Sequence, residues 1–302
     1  MAIPDSEQLE SFGAAATAIE AYFESRDLRP RGGLVAVIDT LRRAAENYEQ
    51  QLAGHEVERP LFLKAPTTNG MPDPTIVALS EGQLLGAALA YFAGHPSVEI
   101  DGTLLTKELC AASPLRWLDA AKPLTLAYRI HSAAGGRLRL FGNQEAGRDI
   151  RWEHPEGTVI SIECKTRFWD KFWDAPDRWL QWARSRLAQM RTGLLRHEPL
   201  RYAFMSLPGN LTLATAIQDS IEAFVKEIAE DVDLIGGLSG FGVAPTGYGL
   251  SNAGQAVAVN KAMFVDMPRK GRVIPPNEQM ARDVFVTIFG HEPDQLPPLL
   301  AE

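Results

Sequence analysis

An α/β fold, with a mixed sheet flanked by helices and a mainly helical region ahead of it, is predicted by three features of this sequence. Residues 6–53 carry helical apolar spacing, and residues 137–167 carry three strand patterns in quick succession, separated by glycine-containing turns. From residue 114 onward the patterns alternate as α, β, β, β, α, β, α, β, an order that a mixed sheet with helices on its faces satisfies.

The elements follow in order. Residues 6–26 and 32–53 read as a helical hairpin, broken at Arg29-Pro30-Arg31-Gly32-Gly33. Residues 56–74, rich in Pro, Asn and Gly, read as a loop, and a short apolar helix is expected near 81–92; patterning across 55–112 is otherwise weak. Ser113 suits a helix cap and Pro114 the first helical position, so a helix should run to about His131, with an interruption at Pro123 and a stop at Ala133-Ala134-Gly135-Gly136. Strands are expected at 137–143, 149–154 and 158–167, then an Arg-rich helix over 177–197. A strand at 201–207, a helix over 213–231 and a Gly-rich apolar strand at 234–243 come next, and a strand near 256–265 and a helix near 277–289 close the series. This divides the chain into a helical region 1–112, a core 113–245 and an extension 246–302 packed on that core.

The 302 residues, 45% of them apolar, suffice for a full-sized core. The opening MAIPDSEQLE has no basic leader pattern and no window approaches eighteen uninterrupted apolar residues, so a soluble, cytoplasmic protein with no membrane partner is expected. Cys110 and Cys164 lack the spacing of a disulfide framework or a zinc site and read as small buried hydrophobes. A net charge of −8 argues against binding nucleic acid over the whole surface, yet Glu163 to Arg201 holds nine Lys/Arg against five Asp/Glu, a basic segment in an acidic chain.

The chemistry is sought in TVISIECK. Strand alternation sends Ile160, Ile162 and Cys164 one way and Val159, Ser161, Glu163 and Lys165 the other. A hairpin centred on residue 156 sets Asp149 across from Glu163, so two carboxylates and a lysine converge. Two such carboxylates repel, and a hard cation such as Mg²⁺, or Mn²⁺ in its place, is their natural third party. The metal would polarise a phosphate and lower the pKa of a bound water; Lys165 would orient that water or neutralise charge developing on the phosphate.

Asp149, a turn, then Glu163-Cys164-Lys165 at the end of an apolar strand resembles the D…(D/E)xK signature of the PD-(D/E)xK, or restriction-endonuclease-like, nuclease superfamily, and residues 114–243 resemble its αβββαβ core. The resemblance covers about 130 of the 302 residues. It implies that Asp149 and Glu163 are metal ligands, that the carbonyl of Cys164 is a further one and that Lys165 is catalytic. Gly147-Arg148-Asp149 stands where the family name has Pro-Asp, and the acidic residue many members carry on the helix before the first strand has only Asp119 to represent it.

Neighbouring residues have weaker patterns. Glu153 shares the face of Asp149 and either assists the metal or is a solvated carboxylate beside the turn. Gln181 and Gln189 resemble the polar helical residue that related nucleases direct into their site, although a solvent-facing glutamine has the same spacing. Arg178, Arg184, Arg186 and Arg191 are the candidates for phosphate contacts, because guanidinium geometry suits phosphate oxygens. Residues 168–182 hold four of the six tryptophans, which serve either packing or base stacking. Neither P-loop nor dinucleotide fingerprint is met in Gly236 to Gly249, Ser239 misses the serine-hydrolase elbow, and the six histidines lack ligand spacing.

A Mg²⁺-dependent endonuclease acting on DNA, in restriction, defence or repair, is therefore the expectation, with RNA open as the polymer. A homodimer is compatible with cutting both strands, which needs two such sites. The alternative is a non-catalytic protein- or nucleic-acid-binding protein that keeps the fold.

Overall fold

The computed structural model describes residues 6–52, 73–112, 115–142, 147–167, 176–198, 200–210, 218–250, 256–260, 263–266 and 276–289. Two amino-terminal helices, α1 (Ser6–Glu24) and α2 (Gly33–Leu52), form the expected hairpin. Next comes α3 (Pro74–Ala93), eight residues longer than the patterning over 81–92, because Asp73 caps it by accepting the N–H of Thr75 (2.7 Å) and Pro74 fits its first turn. By length and composition α3 is the one helix among the described residues apolar enough to cross a membrane, but it is packed within the fold against α1, α2 and the sheet.

After β1 (Val98–Ile100) and a π-helical turn (Leu104–Glu108), neither of which the patterning reveals, α4 (Trp117–Ala134) leads into the central strands. The Ser113-Pro114 start falls outside the described residues. The expected interruption at Pro123 does not occur: α4 runs through it, with Pro123 buried against the core and only the one N–H toward Asp119 missing from the ladder. Strands β2 (Arg137–Leu140), β3 (Ile150–Glu153) and β4 (Val159–Thr166), helix α5 (Pro176–Leu194) and strand β5 (Leu200–Asn210) follow, in the α, β, β, β, α, β order read from the sequence. Helices α6 (Gln218–Glu230) and α7 (Val232–Ile235), strands β6 (Gly240–Leu250), β7 (Ala256–Asn260) and β8 (Met263–Asp266), and helix α8 (Pro276–Phe289) complete the described chain.

The apolar run expected as a strand at 234–243 is split. Asp231 accepts the N–H of Leu234 (3.0 Å) and starts a short helix, Gly237 turns the chain at φ +91°, and the strand begins only at Gly240. Likewise the single strand expected near 256–265 is two, β7 and β8, both paired with β6.

All eight strands share one sheet in the order β1-β2-β3-β4-β5-β6-β7, with β8 also on β6. β1 and β2 are parallel, β2, β3 and β4 antiparallel in succession, β4, β5 and β6 parallel, and β7 and β8 antiparallel to β6. Alternation divides its faces. Trp152, Ile160, Ile162, Tyr202, Phe204 and Tyr248 point into the larger core, shared with α1 to α4 and α8. Ala203, Met205, Leu207, Phe241 and Val243 point into a smaller core under α5 to α7. The larger core runs without a break from Ala15 to Phe285, so amino-terminal helices, central strands and carboxy-terminal helix bury their apolar faces together.

Candidate active site

The site is built on the β3–β4 hairpin. His154 N donates to the Thr158 carbonyl and Gly157 N to the His154 carbonyl, both at 2.8 Å, with Gly157 at φ +84°. This turn fixes Ile150 opposite Ile162, which brings Asp149, one residue before, beside Glu163, one residue after. Asp149 N donates to the Ile162 carbonyl (2.9 Å), and its Oδ2 accepts the N–H of Cys164 (2.6 Å). Lys165 Nζ lies 2.5 Å from Glu163 Oε1 on the same strand face. The convergence read from the register is thus present.

Gly147 aims Asp149. It holds φ +89°, and a Cβ on it would come within 2.4 Å of Gly193 Cα in the last turn of α5. Only glycine gives both the positive φ and the backbone-to-backbone approach. Arg148, next in the chain, ion-pairs with Glu198 (2.8 Å), which also accepts from Arg151 (3.0 Å) and from the Ser161 hydroxyl. Burial raises the Glu198 carboxyl, but these partners outweigh it and hold it at about 2.

Two carboxylates face one ammonium. Burial and then Glu163 push the Asp149 carboxyl up to about 7, against the pull of Lys165 and the Cys164 N–H. Burial draws the Lys165 ammonium down, yet Asp149 and Glu163 more than offset it and raise it above its ordinary value, so it stays charged near neutrality. Asp119 reaches the same field from α4: although it is solvent-exposed on one side, desolvation lifts its carboxyl to about 6, with Arg116 and Lys165 pulling down and Glu108 and Asp149 pushing up. The lone acidic residue of that helix is therefore within electrostatic reach of the pair, despite lying near the helix start.

Glu163 and Lys165 open onto a cleft of about 530 Å³ between β4 and α5. Its far wall is one face of α5, Ser185, Gln189, Thr192 and Gly193, continued by Arg196 just past the helix. Gln189 thus lies in the cleft and accepts from Arg186 (2.5 Å), whereas Gln181 is exposed and outside it. Arg184 is committed to Glu227 and Asp231 of the α6–α7 segment, and Arg191 donates to the Gly236 carbonyl (2.6 Å); both tie α5 to the rest of the fold. The side chain of Arg178 and residues 168–175 fall outside the described residues. Glu153 sits at the other end of β3, about 13 Å along the strand from Asp149 at ~3.3 Å per residue, beside Arg151 at 3.4 Å. Ser185, Thr192 and Arg196 were not singled out from the sequence; their spacing with Gln189 on one helical face, 185, 189, 192 and 196, is the signal that would have found them.

Among the described residues no group of three or more His, Cys, Asp or Glu side chains is arranged to hold a metal. Mg²⁺ asks for less, since it binds through one or two carboxylates and keeps several waters. Asp149 and Glu163 with the Cys164 carbonyl fit that demand, because their mutual repulsion, only partly met by Lys165, favours a cation between them. Cys164 itself is half-buried, and burial followed by the two carboxylates raises its thiol well above its ordinary value.

Comparison of the chain with protein-family models, curated proteins and solved structures finds no match in any of the three.

Proposed function

We propose that the protein is a metal-dependent nuclease of restriction-endonuclease-like fold, cutting phosphodiester bonds at Asp149, Glu163 and Lys165, with DNA as its polymer. The observation that carries this reading is the joint placement of the three residues: Asp149 beside Glu163 by register and bonded to the Cys164 N–H, with Lys165 next to Glu163 at a cleft. The order α4, β2, β3, β4, α5, β5, antiparallel through β4 and parallel from β4 to β5, supports the fold assignment.

Asp149, Glu163 and the Cys164 carbonyl would hold a divalent cation, and that ion, when bound, would supply polarisation of the phosphate and activation of water. The chain does the rest. The Cys164 N–H orients the Asp149 carboxylate. Lys165, protonated, cannot act as a base and instead neutralises charge building on the phosphate oxygens. Arg196 and Gln189, on the opposite wall, are the donors available to a neighbouring phosphate.

The test is a metal titration followed by melting temperature. Ligand present at one hundred times its Kd stabilises by about 2.7 kcal/mol, so Mg²⁺ or Mn²⁺ should raise the Tm of the native chain and leave Asp149→Ala unmoved. One observation favours a second reading, a binding protein that keeps the fold: Lys165 already satisfies Glu163 as an ion pair. On that reading metal shifts neither Tm nor binding.

A further inference from the structure

Two consecutive residues ahead of Asp149 are gripped by one end of α5. Gly147 lies against the backbone of Gly193, and Arg148, largely buried and placed over the Phe141 ring at 4.6 Å, sends its guanidinium to Glu198 (2.8 Å). Glu198 comes just after Arg196 of the cleft wall, and it also takes the Arg151 side chain (3.0 Å) and the Ser161 hydroxyl from the two strands of the hairpin. One carboxylate therefore joins both walls of the cleft. The charges that act on the Asp149 carboxyl are those of Glu163 and Lys165, and Arg148 is not among them. What Arg148 does to Asp149 runs through the backbone they share. Residues 147 and 148 precede β3 and lie outside its ladder, so the contacts with α5 are what hold them. Arg151 differs, because its backbone is already fixed between Arg139 of β2 and Ser161 of β4.

From this we propose that Glu198 is a positioning residue of the candidate site: through Arg148 it fixes the backbone ahead of Asp149, and with it the direction in which Asp149 presents its carboxylate to a cation. The proposal rests on the nuclease reading in taking Asp149 as a metal ligand. Ligating carboxylates depend on the groups that hold them in turn, and loss of such support lowers metal affinity by about 10–100-fold. Here the Cys164 N–H holds one carboxylate oxygen from the β4 side (2.6 Å), while the Arg148–Glu198 pair holds the preceding backbone from the α5 side. Asp149 also keeps backbone bonds of its own, to the Ile162 carbonyl and from the Phe141 N–H, both at 2.9 Å. The expected loss is therefore at the lower end of that range, about tenfold.

Metal binding tests it apart from cleavage. Mn²⁺ alone is titrated into the full chain by calorimetry, without nucleic acid and below the melting transition of each variant. Glu198→Gln and Arg148→Met should each weaken Mn²⁺ by about tenfold, and the double variant should be no weaker than the single ones, since the two side chains act as one unit. Arg148→Lys, which keeps the ion pair, should recover most of the native affinity. Arg151→Met removes another partner of the same carboxylate, so it should lower the Tm and leave Mn²⁺ affinity unchanged. Should Glu198→Gln not fold, Arg148→Met against Arg148→Lys carries the same comparison. Native affinity in Glu198→Gln, or a loss in Arg151→Met equal to that in Arg148→Met, overturns the proposal, because the carboxylate then only ties the hairpin together. Those results leave the nuclease reading standing. A native chain that binds no Mn²⁺ removes that reading and the positioning role together.

Discussion

Asp149 and Glu163 sit side by side with Lys165 Nζ against Glu163, and because burial and then Glu163 raise the Asp149 carboxyl to about 7, ionising it costs stability. Asp149→Asn keeps an acceptor for the Cys164 N–H and removes one buried charge. Its metal-free Tm at pH 8 should therefore rise, by about 1 kcal/mol or more of stability, while its response to Mg²⁺ disappears; a drop in metal-free Tm would show that the carboxylates do not strain the fold. This much of the site was legible because period-two alternation and one short turn fix which residues meet. The commitments of Arg184 and Arg191 were not, since Glu227, Asp231 and the Gly236 carbonyl are brought to them from more than forty residues away and leave no local trace.

Elements show where patterning runs out. Three successive strands with glycine turns were legible at 137–167, but a glycine-rich apolar run such as 234–243 suits strand, turn or buried helix equally, and Asp231 with Gly237 decides it. The loop before β3 depends on Gly147 fitting against Gly193 of α5. Gly147→Ala meets both a positive φ and a backbone contact, so it should destabilise by about 1–3 kcal/mol and lower activity by displacing Asp149, as a chemical denaturation curve and a cleavage assay would record. The hairpin is also tied at its base through Glu198. Because folding lowers this carboxyl from 4.5 to about 2, its contribution is complete above about pH 4.5 and is lost as pH falls from there toward 2. Melting temperature followed over that window should fall less steeply in Glu198→Gln than in the native chain; parallel curves would remove Glu198 from the acid response.

On the scale of the whole molecule, the divisions at residues 112 and 245 mark changes of sequence pattern that the apolar core crosses. Leu34, Leu85, Trp152, Tyr248 and Phe285 belong to one buried cluster, and Glu81 of α3 bonds to Tyr248 of β6 across 167 residues. A fragment holding only residues 113–245 exposes the faces that α1, α3 and α8 cover, and it should show no cooperative thermal transition; a sharp melt would make that segment an independent unit. Such packing was beyond the reach of sequence patterning, which reports which face of an element is apolar and not what it meets. On the nuclease reading, a net charge of −8 would confine a polyanionic substrate to the cleft with Lys165 and Arg196, so its binding should weaken with salt.

The central claim meets its most direct test in cleavage itself. Purified full-length protein is incubated with end-labelled single- and double-stranded DNA and RNA, with Mg²⁺, with Mn²⁺ and with chelator, beside Glu163→Gln and Lys165→Ala variants that melt as the native chain does. Cutting of DNA that needs the metal and vanishes in both variants is the predicted result. Uncut substrates under every condition, or cutting that persists in the two variants, would contradict it.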